Sequence, residues 1–258
     1  MKKIIAFFSR NIPRHIQQKI AHFILIFVSI FYKGNNYEDP IDGNKYRKLL
    51  PYGQLKVREN ALAPLSMSLE RHRLIWLYLK EKTDFFTKDI RFLHVAPEYC
   101  FLRKFKKFKN IDYVTGDLIS PWADVKMDVT DNPFGDNEFD VVMCNHVFEH
   151  VENDTLAMSE FYRVLKPGGW GIFQVPIDIN REDTFEDPSI IDPKQREKYF
   201  WQHDHVRLYG KDYGKRLSKV GFVVEENNFI EELGEELSKR YALPIGEIIY
   251  VCRKPQNS

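Results

Sequence analysis

Cysteine is scarce in this chain. Three residues in 258, Cys100, Cys144 and Cys252, are scattered and form no C-x-x-C pair. Two lie in or beside apolar runs, so they read as buried free thiols of a reducing compartment rather than a disulfide framework. Acidic residues are missing from the first 37 positions, which carry Lys2, Lys3, Arg10, Arg14, Lys19 and Lys33. The whole chain nevertheless balances to a net charge of +1, which removes any overall electrostatic pull toward nucleic acid. No apolar run reaches membrane-spanning length. Between Ile20 and Tyr32 only His22 and Ser29 interrupt it, and as a helix it covers roughly 20 Å of a ~30 Å hydrocarbon layer. It ends in Phe31-Tyr32 without the small residues of a secretory cleavage site. A G-x-G-x-x-G fingerprint is absent too, which counts against a nicotinamide-dependent oxidoreductase.

What is present falls into three parts. Residues 1–37 form a basic amphipathic segment. As a helix it places Ile16, Ile20, Phe23, Phe27, Ile30 and Phe31 on one side, with Lys19 and His22 elsewhere. Such a helix suits the membrane interface, with basic residues on anionic headgroups. The same pattern also fits a helix packed on its own domain or on a second subunit. Residues 38–83 contain two proline turns, Asp39-Pro40-Ile41-Asp42-Gly43 and Ala63-Pro64-Leu65-Ser66, then an amphipathic stretch from Leu69 to Leu79. Residues 84–258 alternate short apolar runs with helical patterns, the signature of an α/β sheet.

The most informative stretch runs from Phe139 to Pro176. Phe139 to Met143 is a short unbroken apolar run, suited to a strand covered on both faces. Asn153 and Asp154 offer N-caps, and Ala157, Phe161, Val164 and Leu165 recur at helical spacing. Lys166 fits the C-terminal end of that helix, Pro167 stops it, Gly168-Gly169 turns the chain, and Trp170 to Val175 reads as a second buried strand. Strand, helix and strand form a right-handed crossover with parallel strands. The strand–N-H-V-F-E-H-V–helix–V-L-K-P-G-G–strand sequence resembles the fourth and fifth strands of class I S-adenosylmethionine (SAM)-dependent methyltransferases. The resemblance covers roughly residues 90 to 230.

That resemblance implies a Rossmann-like α/β fold: a mostly parallel seven-stranded sheet of order 3-2-1-4-5-7-6 with helices on both faces. It also implies SAM as cofactor, lying over the ends of the first and fourth strands. His94, Ala96, Glu98, Asp117, Asp128, Val129 and Asn145 take the cofactor-side positions. The family's first strand ends in an acidic residue and a Gly-rich turn, whereas this chain reads His94-Val95-Ala96-Pro97-Glu98. Ala96 replaces a glycine there only if its φ is negative. Asp117, after the second strand (Ile111 to Thr115), sits where α/β nucleotide-binding sheets hold ribose hydroxyls. Asp128 and Val129 match the family's adenine-binding positions. Some bacterial members carry a zinc knuckle ahead of this domain. The two proline turns resemble that knuckle with its cysteines replaced, and no zinc is expected because Ala63 cannot ligate.

Ligands of parallel sheets lie beyond the carboxyl ends of the strands, so Asn145, His146, Glu149 and His150 border the reaction centre. His146 and His150 are the candidate bases for an acceptor's proton, and Glu149 reads as structural. Between Pro176 and Tyr209 a long polar connection ends in Trp201-Gln202-His203-Asp204-His205. If residues 205–209 are extended, His205, Arg207 and Tyr209 share one side as an acceptor wall. The H-D-H triplet supplies two metal ligands without a clear third, so no metal is expected. The function read from the sequence is methyl transfer from SAM to a small-molecule or lipid-linked acceptor. The setting is cytoplasmic, with peripheral contact on the inner membrane face through residues 1–33. A degenerate binding module that keeps the sheet without its cofactor is the alternative.

Overall fold

The computed structural model describes residues 14–53 and 57–257. Lys2, Lys3 and Arg10 lie outside that range, and the side chains of Arg14 and Lys19 are likewise outside the description. Seven strands build the central sheet: β1 (Ile90–Val95), β2 (Ile111–Asp117), β3 (Val125–Lys126), β4 (Phe139–Asn145), β5 (Leu165–Gln174), β6 (Val223–Asn227) and β7 (Ile249–Arg253). Their spatial order is 3-2-1-4-5-7-6, the order the resemblance implied. β1, β2, β3, β4 and β5 are parallel, while β7 runs antiparallel to both β5 and β6.

Alternation of side chains explains why this sheet is covered twice. Phe92, Val141, Ile172 and Val251 enter one apolar cluster with helices α2 (Glu70–Lys82), α3 (Tyr99–Phe105) and α7 (Phe229–Arg240). Their neighbours Leu93, Val142, Phe173 and Cys252 enter a second cluster with α4 (Asp154–Val164) and α6 (Tyr213–Lys219). β1, β4, β5 and β7 are therefore apolar on both sides, and every such side chain fully buried contributes about 1.5–3 kcal/mol. All three cysteines are buried and unpaired.

The crossover differs from its sequence reading at one point. Asn153 caps α4 by accepting from the Leu156 amide at 3.0 Å, as the pattern implied. The helix stops at Val164, however, and the strand begins at once with Leu165, not at Trp170. Lys166 reaches Asp140 Oδ2 at 2.8 Å instead of the helix carbonyls. Gly168, at φ 79°, lies in the irregular start of β5. The pairing partner decides this: Phe139 on β4 is already opposite Leu165. The helices α5 (Pro193–Phe200) and α7 also appear where the sequence suggested only connection.

Ahead of the sheet, α1 (Arg14–Tyr32) leads into two small hairpins, Lys33–Glu38 with Lys45–Tyr46 and Leu50–Tyr52 with Arg58–Leu62. The six residues expected on one side of α1, Ile16, Ile20, Phe23, Phe27, Ile30 and Phe31, are all exposed, Phe31 by 73%. The opposite side is held to the protein, with His22 Nε2 donating to the Leu65 carbonyl at 3.1 Å. Among the described residues no helix is long and apolar enough to cross a membrane.

The two proline turns meet. Asp39, fully buried, accepts from the Ser66 hydroxyl and from the Ser68 hydroxyl at 2.9 Å, and its other oxygen accepts from the Ile41 amide. Arg73 then fastens this module to the C-terminal part of the chain. Its guanidinium is fully buried and donates to the carbonyls of Ala61, Ser68, Tyr241 and Ala242. Removing such a group strands several buried acceptors, so Arg73→Ala should lower stability by about 3–5 kcal/mol. Urea unfolding measures this, and an unchanged midpoint would show that the clamp contributes nothing.

Candidate functional site

The carboxyl ends of β1, β2, β3 and β4 lie side by side, because these strands are adjacent and parallel. Asp117 ends β2 and pairs with Lys126 on β3, and Asp128 follows two residues later. Asp117 shapes the loop after it: Oδ1 accepts from the amides of Ile119 at 2.8 Å and Ser120 at 2.6 Å. Thr115 and Asp124 close the same loop with reciprocal side-chain and backbone bonds. The result is a cleft of about 340 Å³ lined by Asp117, Leu118, Ile119, Ser120, Ala123 and Lys126. Leu118 and Ile119 are exposed in it, Ile119 almost completely. Asp128 Oδ1 is occupied by the Thr130 amide and hydroxyl, which hold its carboxyl below the usual range. Val129 is buried beside it.

The turn after β1 departs from expectation. Ala96 has φ +48°, so the condition for an unstrained alanine fails. The left-handed region costs a non-glycine residue about 1–2 kcal/mol. The Ala96 amide is held by the Gly116 carbonyl at 2.8 Å, which anchors this conformation. Glu98, at the head of α3, is bound by His94 Nε2 and accepts from Asn145 Nδ2 at 2.9 Å. One carboxylate thus joins the tips of β1 and β4. His94 is fully buried with its other ring nitrogen 2.8 Å from the Tyr113 hydroxyl. Both its nitrogens are used, so it positions Glu98 and has no group left for a cofactor. Asn145 Oδ1, by contrast, is buried without a partner.

The acceptor-side residues divide the same way. Arg207 is buried and fully engaged: it donates to the carbonyls of Phe148, Val151 and Glu152 and to the Glu186 carboxylate. The Tyr209 hydroxyl donates to Asp154 at 2.8 Å from within the core. Neither offers a free group to an acceptor, so the expected wall of three reduces to His205. Arg207 instead clamps residues 205–208 onto the turn after β4, and that clamp brings distant residues together. His150 and His205 stack edge to face at 4.7 Å between ring centroids. His146, at φ +55°, places Nδ1 3.3 Å from Glu149 Oε1, close enough for an ion pair but not aligned as a hydrogen bond. Glu149 is 1% exposed. Burial pushes its carboxyl up, yet His146 holds it below the ordinary value. Its spacing of three from His146 was the available signal that the two side chains meet, although Glu149 reads as structural in the sequence.

Burial alone would raise the Glu98 carboxyl, but the charge and hydrogen bond of His94, then His72 and the Asn145 amide, pull it down to about 2. A carboxyl depressed in the fold stabilises above its unfolded pKa and loses that contribution as pH falls toward the folded value. The wild type should therefore lose stability between roughly pH 4.5 and 2. Glu98→Gln should start less stable at neutral pH and show a flatter acid limb when urea midpoints are compared across pH; parallel limbs would remove Glu98 from the account.

Comparisons with known proteins agree with this architecture. Residues 99–173 match the family described as a methyltransferase domain. An uncharacterized protein of Methanocaldococcus jannaschii is 35% identical over 92 residues, 36% of this chain and 42% of that protein. A demethylmenaquinone methyltransferase of Staphylococcus carnosus is 36% identical over 69 residues, 27% of this chain and 24% of the other. The matches thus span less than half the length of these relatives. A crystal structure described as a putative methyltransferase from Bacillus halodurans superposes with a TM-score of 0.43 at 19% identity, covering 66% of this chain and 94% of that one. The matched segment, residues 99–173, is similar to that methyltransferase domain, and the strand order is the one the resemblance to class I methyltransferases implied.

Proposed function

We propose that the protein transfers a methyl group from SAM to a small acceptor. The observation that carries this is the cleft at the ends of β2 and β3, where one carboxylate stands beside exposed apolar side chains. An adenosine needs both: hydrogen-bond acceptors for the ribose hydroxyls and an apolar wall for the base. Asp117 keeps Oδ2 for the ribose, since Oδ1 is spent on its own loop. Leu118 and Ile119 form the wall, and Asp128 with the Val129 amide serves the adenine edge. Asn145, with an unpartnered Oδ1, faces the amino-acid end. SAM supplies an electrophilic sulfonium methyl. The chain's part is to hold the acceptor in line and close and to exclude water. His146, whose Nε2 is buried without a partner, receives the acceptor's proton where one must leave. His150 and His205 border the acceptor.

The exposed apolar side of α1 supports a second element of this reading, docking on anionic membranes so that a lipid-linked acceptor comes within reach. The competing reading is a sheet that has lost its donor. It draws on the strained Ala96 and on a Glu98 already tied to His94 and Asn145.

Calorimetry with SAM and S-adenosylhomocysteine decides between them. Saturable micromolar binding is expected, and Asp117→Ala should weaken it roughly 10- to 100-fold, the worth of charged hydrogen bonds. Complete absence of binding would favour the scaffold. For the membrane element, the full chain should float with anionic liposomes at low salt and lose that on Phe23→Glu/Phe27→Glu substitution. Failure of the wild type to float removes it.

A further inference from the structure

We propose that Glu149, His150 and His205 form a binding site for one divalent first-row transition-metal ion. Each offers one ligand atom, and these atoms lie within 4.8 Å of one another. Among the described residues no other trio of His, Cys, Asp or Glu side chains is so arranged. The sequence supplied only His203 and His205 for such a site. The fold supplies the missing carboxylate and the second imidazole from the turn after β4, through the Arg207 clamp and the Val206 amide on the Glu149 carbonyl at 2.8 Å.

Proton placement makes the case. His205 Nδ1 faces the Phe200 carbonyl at 2.8 Å, so Nδ1 carries the proton and Nε2 presents a lone pair. That Nε2 is buried and has no partner. His150 Nδ1 faces only acceptors, the Asp204 carbonyl at 3.3 Å and its carboxylate at 3.4 Å, so its proton sits there and Nε2 is left as the donor of a lone pair. Both oxygens of Glu149 are buried without a hydrogen bond. Among the described residues His146 Nδ1, 3.3 Å from Glu149 Oε1, is the one proton source beside the set, which leaves His205 Nε2, His150 Nε2 and Glu149 Oε2 as acceptors. One water brings two hydrogens, too few for three lone pairs. A cation satisfies them all.

The surroundings resemble those of working metal sites. Ligating histidines characteristically donate their second nitrogen to a carbonyl or carboxylate, which fixes tautomer and orientation. Phe200 and Asp204 do this for His205 and His150. Two imidazoles with one carboxylate suit zinc, cobalt, manganese or iron(II), whereas magnesium and calcium prefer all-oxygen sets. Ligands on one ion stand roughly 3–4 Å apart at bond lengths near 2.1 Å, so binding draws the trio slightly together. His150, whose side chain is 34% exposed, has room to move and leaves an entry path from solvent. Three protein ligands leave coordination positions open toward the acceptor side. An oxygen-bearing acceptor, a hydroxyl or a carboxylate, is the chemical class that fills them.

The test uses the tag-free full chain, stripped with chelator and titrated with Co²⁺, followed by visible absorption and calorimetry. One equivalent should bind and be displaced by Zn²⁺. Glu149→Gln and His205→Asn should each weaken binding at least ~100-fold, and Asp204→Asn about 10-fold. His203→Asn, an exposed neighbour, should bind as the wild type does. Thermal unfolding shows whether each variant is folded, and the ion should raise the midpoint of the wild type but not of Glu149→Gln. Lack of saturable binding, or binding untouched by Glu149→Gln, overturns the site and leaves a water-filled pocket. S-adenosylhomocysteine titrated into the metal-free protein separates this inference from the proposed methyl transfer, because nucleoside binding without metal binding refutes the metal site alone.

Discussion

Parallel pairing of β1, β2 and β4 under cover on both faces is the constraint from which the rest follows. A sheet buried on two sides has no room for a ligand except past the ends of its strands. All unsatisfied polar groups discussed above lie at one such end or on segments folded over it. Asn145 ends β4, His146 and Glu149 follow it, and His205 is brought over them. The same constraint explains why Glu98 bridges two strand tips: a carboxylate opening α3 at β1 is necessarily beside the end of β4.

Two buried guanidinium groups do the positioning. Arg73 joins the N-terminal module to the C-terminal helix region, and Arg207 joins the 185–208 excursion to the turn after β4. Each ends on main-chain carbonyls, a fork that lysine could not reproduce. Burying such a charge is costly unless every donor is used, and here nearly every one is. The cost is offset by geometry: segments more than 50 residues apart are held in register.

The sheet was legible because strands covered on both faces announce themselves as short apolar runs, and Phe139 to Met143 is the clearest of them. The crossover from Asn153 to Val164 was legible through its cap and spacing. Other features were hidden because their cause is tertiary. Nothing in Lys166-Pro167-Gly168-Gly169 reveals that β4 pulls Leu165 into pairing. Nothing local to Arg207 or Tyr209 shows that their polar atoms are consumed by Phe148, Val151 and Asp154, so side-sharing along an extended segment overstated what they can offer. His94 likewise looked like a strand-end contact until Tyr113 and Glu98 claimed both its nitrogens. Glu149 is the converse case, read as structural and buried in the fold. Burial normally marks a carboxylate as architectural, yet neither Glu149 oxygen makes an aligned hydrogen bond, and among the described residues only His146 stands close.

The meeting of Asp39 with Ser66 and Ser68 has a consequence for what the N-terminal module needs in order to close. A module fastened by thiolates around an ion waits on metal supply to fold and fails under oxidants or chelators. Here a carboxylate and two hydroxyls, made with the chain itself, tie the two proline turns. Closing these two turns therefore calls for neither an ion nor a reduced thiol.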